Sequence, residues 1–250
     1  MIHSFLLIGQ SNMAGRGFLD EAMDIDSKHI KILRNGRWQG MFRPINPDRA
    51  FSGVCLAESF ADKYAKKFNV DVGLICCADG GTSLEQWKEG SLLFDNAVYN
   101  ARLAQRTSTI AGILWHQGEA DCAPQLTATY KERFEKMINA LRRELNLYDV
   151  PVLLGGLGDF LPLRESSPNY IHYKKLNSVL KQIAIDNPMT GFVSAEELSA
   201  NPDNLHFNAK SLYEFGLRYF EEFDKKRDVN KIFPEKYSED DAVRTALELL

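Results

Sequence analysis

The sequence predicts one α/β domain: a mostly parallel sheet of five strands with helices on both faces. Three observations predict it. Apolar runs at 3–8, 30–33, 70–77, 110–116 and 150–157 alternate with polar or Gly-rich stretches and helical patterns. Alternation of this kind belongs to parallel strands joined by helical crossovers. Two stripes at helical spacing, Leu126/Tyr130/Phe134/Met137/Leu141 and Leu212/Phe215/Tyr219/Phe220/Phe223, offer apolar faces to cover the sheet. With 250 residues, 44% of them hydrophobic, the chain can bury a substantial core.

Each element has its own justification. Phe5 to Ile8 is bulky and apolar at every position, as in a strand buried on both faces, and the run stops at Gly9. Ile30 to Leu33 forms the second strand, followed by a helix over about 54–68. Val70 to Cys77 ends in a Gly-rich turn, and Ile110 to His116 leads into the helix carrying the first stripe. After Val150 to Leu157 comes a helix over 169–186, stopped by Pro188, and then a short extra strand at 190–194. The expected strand order is 2-1-3-4-5. The domain spans 1–227; residues 228–250 are charged, carry Pro234 and end in a helical pattern. This tail is expected to dock on the domain or to mediate self-association into a homo-oligomer.

A net charge of -4, with Lys and Arg spread along the chain, speaks against nucleic acid as a partner. No apolar stretch approaches the roughly 20 residues of a membrane helix. Met1 leads directly into the first strand without a leader pattern, so the expected location is cytoplasmic. Cys55, Cys76, Cys77 and Cys122 lack zinc-site spacing and read as reduced, mostly buried thiols. Cys122, beside a polar motif, is a candidate for exposure.

Four segments carry chemistry. Ser11 follows the first strand between Gln10 and Asn12, with Gly9 and Gly15 bracketing the turn, where open α/β sheets bind ligands. It reads as a nucleophile, or equally as Ser11 or Asn12 capping the next helix. Gly80 and Gly81 precede Thr82 and Glu85, a capping-box spacing that would leave backbone amides pointing outward as oxyanion donors, or simply a well-capped turn. His116-Gln117-Gly118-Glu119-Ala120-Asp121 brings polar groups out of an apolar strand. Gln117 can donate to a developing negative charge, and Glu119 can orient a neighbour; His116 is also readable as a core histidine. A metal site from His116, Glu119 and Asp121 has no recognised ligand spacing. Asp203, three residues before His206, can accept the imidazole Nδ1 proton and leave Nε2 free for a serine. The expected strand order places the loops of Ser11, Gly80-Gly81 and Gln117 along one sheet edge, with His206 brought over Ser11. Gly-x-Ser-x-Gly is absent, because Met13 holds its last glycine position.

In order, Gly9-Gln-Ser-Asn-Met-Ala-Gly15, Gly80-Gly-Thr-Ser-Leu-Glu-Gln-Trp87, His116-Gln-Gly-Glu-Ala-Asp121 and Asp203-Asn-Leu-His-Phe207 resemble the blocks of the SGNH-hydrolase superfamily. Within it they are most similar to the sialate O-acetylesterase and acetylxylan-esterase group of carbohydrate esterases. The resemblance covers about 2–224. It implies a flavodoxin-like three-layer α/β/α fold and removal of O-acetyl groups from a small acetylated carbohydrate, without metal or other cofactor. Carried over by position, Ser11 is the nucleophile, His206 the base and Asp203 its orienter. The Ser11 amide, one of Gly80 and Gly81, and the Gln117 side chain then form the oxyanion hole. Gln117 stands where the superfamily pattern has asparagine, the variant of the carbohydrate-esterase group.

Trp87 and Trp38 are candidates for stacking on a sugar, whereas Trp115 reads as core. Arg16 and Arg164 are candidates for meeting an acidic sugar's carboxylate. The alternatives are action on longer acyl esters or thioesters, transfer of acetyl to another alcohol, and a carbohydrate-binding relative without catalysis.

Overall fold

The computed structural model describes residues 1–227; the predicted tail, 228–250, lies outside the described residues. One seven-stranded sheet forms the middle layer. Its strands are β1 (Ile2–Gly9), β2 (Ile30–Arg34), β3 (Arg37–Gly40), β4 (Asp71–Cys76), β5 (Ser108–His116), β6 (Val152–Gly155) and β7 (Thr190–Val193). The helices are α1 (Ser11–Ala14), α2 (Leu56–Phe68), α3 (Leu92–Gln105), α4 (Pro124–Ala128), α5 (Tyr130–Leu145), α6 (Tyr173–Asp186) and α7 (Ala209–Lys226). Helices α2 and α7 pack together on one side; α3, α5 and α6 pack in sequence on the other. The result is the expected α/β/α sandwich.

The sheet order is β3-β2-β4-β1-β5-β6-β7, parallel except for the β2/β3 hairpin at the edge. This corrects both the expected five strands and the order 2-1-3-4-5: β4 lies between β2 and β1. Burial explains the difference. Val72 to Ile75 of β4 are all buried, which suits an interior strand, whereas β2 buries only Ile30 and Ile32 and alternates with Lys31 and Leu33. The half-exposed strand goes outward, and β3 caps it. Between β1 and β2 only a four-residue helix and short 3-10 turns occur, with no full crossover helix to lay β2 beside β1.

Two further features escaped the sequence pattern. Helix α3 buries Phe94, Ala97, Val98, Ala101 and Ala104, a stripe too alanine-rich to stand out. The single helix expected from the first stripe is two, α4 and α5, separated at Thr129.

On the α2/α7 side the core centres on Phe5 of β1, fully buried against Phe60 (ring centroids 4.7 Å apart), Tyr64 (4.9 Å) and Phe223 (5.4 Å). These edge-to-face contacts tie the strand that ends in the Ser11 turn to both covering helices. Phe5→Ala is expected to cost about 3–5 kcal/mol of unfolding free energy, read as a lower urea midpoint at unchanged slope.

Candidate active site

Because β4, β1 and β5 are neighbours, their carboxyl-end loops emerge side by side. Gly9 makes the exit from β1 possible. Its φ is +127°, and a Cβ built there would stand 2.2 Å from the His116 carbonyl oxygen of β5. That carbonyl instead accepts from the Gln10 amide at 2.9 Å, and the Gly9 carbonyl accepts from Asp79 N–H at 3.0 Å. The Ser11 turn is thus pinned to both neighbouring loops by backbone alone.

Ser11 begins α1 and is 5% exposed. Its Oγ lies 3.0 Å from His206 Nε2, and His206 Nδ1 lies 2.6 Å from Asp203 Oδ2. Asp203 does more than face the imidazole: its Oδ1 accepts from the backbone N–H of both Leu205 and His206 at 3.0 Å. One carboxylate therefore folds the loop and orients the ring it carries. Burial would raise the Asp203 carboxyl, but these amides and the His206 ring outweigh it and leave it below the usual carboxylate range. Phe207, fully buried against Phe160, Phe215 and His116, anchors the loop from behind.

Asn12 is the clamp between loops. It is buried; its Nδ2 donates to Glu119 Oε1 at 2.6 Å and to the Leu205 carbonyl at 3.2 Å, and its Oδ1 accepts from Phe207 N–H at 3.1 Å. Gln10 Oε1 accepts from Gly118 N–H at 3.3 Å. Gln10, Asn12 and Glu119 are thus committed to joining loops.

Gln117 is placed differently from the expectation. Its side chain is fully buried, with Nε2 donating to Asp121 Oδ2 at 2.7 Å and to the Thr82 carbonyl at 3.2 Å. Its Oε1 accepts from the Tyr130 hydroxyl at 2.8 Å. Both amide hydrogens are engaged, so Gln117 braces the glycine loop at Thr82 instead of facing Ser11. The cap of that loop also differs. Ser83 and Gln86, not Thr82 and Glu85, form the capping box of a 3-10 turn at Leu84–Trp87. Thr82 accepts from Trp87 Nε1 at 3.1 Å, and Trp87, 1% exposed, packs edge-on against Trp115. Trp87 is core and cannot stack on a sugar. Trp38 covers Gly73 and donates to Thr107 Oγ1, away from the site edge.

The glycine loop is held over Ser11 by a buried ion pair that the sequence did not reveal. Arg16 Nη1 and Nη2 meet Asp48 Oδ1 and Oδ2 at 2.9 and 2.7 Å, and the same Oδ2 accepts from Gly80 N–H at 2.8 Å. A Cβ at Gly80 would lie 2.4 Å from Arg16 Nη2 and 3.5 Å from Ser11 Cβ, so only glycine lets the loop pass this close. With the Gly80 amide taken, Gly81 (φ +79°) is the member of the pair whose N–H has no acceptor among the described residues. Burial would raise the Asp48 carboxyl, but hydrogen bonds from Arg16, Gly80 and Ser52 outweigh it and hold it below 3.8.

His116 Nδ1 and Glu119 Oε1 approach to 3.9 Å, but Asp121 is bonded elsewhere. His116 Nε2 faces the Gly156 carbonyl at 3.2 Å, while Asp121 accepts from Leu84 N–H, Gln117 and Arg133. Burial lowers the His116 pKa, and no cluster of three His, Cys, Asp or Glu among the described residues could hold a metal ion. Cys122 is fully buried, not exposed, and burial pushes its thiol up.

A hydroxyl, an imidazole and a carboxylate in relay on the carboxyl edge of an α/β/α sheet define the serine-hydrolase class of site. The chain belongs to the carbohydrate esterase family described as sialic acid-specific acetylesterase, whose model matches residues 1–225. A probable carbohydrate esterase of Arabidopsis thaliana is 27% identical over 236 residues, covering 85% of this chain and 86% of its own. A solved Arabidopsis thaliana structure superposes with a TM-score of 0.79 at 24% identity, over 90% of this chain and 99% of that one. NanS follows the same fold, with a TM-score of 0.68 at 18% identity over 88% of this chain and 95% of its own.

Two outcomes check this geometry. Asn12→Ala strands the Phe207 amide and Glu119 and should cost about 1–3 kcal/mol per unsatisfied group, with a fall in kcat larger than any change in KM. Asp48, depressed in the folded state, contributes stability that is complete above its unfolded value and is lost as pH falls through its folded value. The stability advantage of wild type over Asp48→Asn should therefore be full at neutral pH and shrink below pH 3.8 in pH-dependent melts.

Proposed function

We propose that the chain is a serine esterase that removes O-acetyl groups from acetylated carbohydrates of the sialic acid or xylo-oligosaccharide type. The observation that carries this reading is the continuous relay from Ser11 Oγ to His206 Nε2 at 3.0 Å and from His206 Nδ1 to Asp203 Oδ2 at 2.6 Å. Ser11 Oγ attacks the acetyl carbonyl as His206 takes its proton, forming a tetrahedral intermediate. As that intermediate collapses, His206 returns the proton to the departing sugar oxygen and the acetyl group stays on Ser11. Water, deprotonated by His206, then releases acetate and restores the serine.

The amides of Ser11, at the first position of α1, and of Gly81 are the donors for the oxyanion. Membership of a family described by acetylesterase activity supports the acetyl group as the acyl part. Among the described residues no helix is long and apolar enough to cross a membrane, and the four cysteines are free. Free thiols suit a reducing compartment, and we place the enzyme in the cytoplasm.

Ser11→Ala should abolish turnover of an aryl acetate while leaving the melting curve in place. On wild type, kcat/KM should fall steeply from acetate to butyrate and longer esters. Retained hydrolysis in Ser11→Ala, or a preference for long acyl chains, would overturn the reading.

A further inference from the structure

A cleft of about 580 Å³ opens against the histidine end of the relay, with His206 and Asp203 in one wall and Phe18, Leu19, Phe51 and Arg16 in the others. The volume lies in the range of roughly 300–1,000 Å³ typical of small-molecule sites. Its position assigns its role. His206 must return a proton to the departing alcohol, so the space beside His206 belongs to the alcohol half of the ester.

The walls then define which alcohol fits. Phe18, Leu19 and Phe51 are 47%, 46% and 69% exposed, an apolar surface left open to water at the mouth of the site. Such rings receive the C–H face of a pyranose. The charges are arranged against an acid. Recognition of a carboxylate by arginine uses the two-pronged guanidinium edge, and both prongs of Arg16 are spent on Asp48. The remaining donor of Arg16, Nε, is buried from solvent and has no hydrogen-bond partner among the described residues, so Arg16 offers the cleft no free guanidinium edge. The other charged groups in the lining are Asp20 and Asp203, both acidic, and His206. Arg164 donates to the Asp203 carbonyl at 2.7 Å but is not part of this wall.

We infer that this cleft is the alcohol subsite and that it takes an uncharged acetylated sugar, its C–H face on Phe18 and Phe51, while disfavouring the carboxylated sugar of the family's description. The inference rests on the esterase reading above.

The test uses the purified full chain with three substrates: ethyl acetate, an O-acetylated methyl xyloside and an O-acetylated sialic acid. Expected is a kcat/KM for the xyloside at least roughly tenfold above that for the sialic acid ester. Phe51→Ala should lower kcat/KM on the xyloside severalfold more than on ethyl acetate, whose leaving group is too small to reach the ring. Asp20→Lys should narrow the gap between the two sugars. Preference for the sialic acid ester, lost in Arg164→Met, overturns the inference and leaves the esterase reading standing. An equal loss on all three substrates in Phe51→Ala also overturns it. Failure to hydrolyse any of the three esters overturns both.

Discussion

The arrangement at the sheet edge depends on the side chain of Asn12. Three loops from distant parts of the chain must share one register, and Asn12 is a buried group bonded to the β5 loop through Glu119 and to the histidine loop through Leu205 and Phe207. A buried amide has few hydrogen-bonding choices, and here both its ends are satisfied by partners that also need it. The 3.0 Å approach of His206 to Ser11 is therefore a consequence of packing one residue further along.

Charge is managed with similar economy around this clamp. Asp48, Glu119 and Asp121 are all buried near the site, an expensive arrangement unless each is compensated. Asp48 is neutralised by Arg16, and Asp121 by Arg133 together with two hydrogen bonds. Glu119 receives Asn12 on one oxygen, while the other is buried without a partner among the described residues. Neutralising Asp48 matters most for the proposed chemistry, because its carboxylate is bonded to the Gly80 amide of the glycine loop, beside the proposed site of developing negative charge.

Much of this was legible in the residues, and what was not has a physical reason. Ser11 at the end of a strand and Asp203 three residues before His206 are local patterns, and local patterns survive folding. Sheet order turns on which strand is more deeply buried, a comparison between β2 and β4 that no single run contains. Motif position and amide chemistry point Gln117 at an oxyanion, and an indole in a motif makes Trp87 a candidate for stacking, but neither fixes where the side chain is aimed. The direction of an amide or an indole is set by tertiary partners, Asp121 and Thr82 for the one and Thr82 and Trp115 for the other. Arg16 and Asp48 are 32 residues apart, with no periodicity to connect them, so their pairing is visible only in three dimensions.

The distance along the chain between Ser11 and His206 has a consequence for synthesis. The two are 195 residues apart, so at roughly 5–20 residues added per second the serine exists for about ten to forty seconds before its base has been translated. Through that interval Ser11 is an ordinary alcohol, because the Asp203 loop and the Phe207 anchor beneath it have not been made. Under the proposed mechanism, reactivity at the first strand is thus switched on by the arrival of the last loop, and a chain that stops short of that loop carries Ser11 without its chemistry.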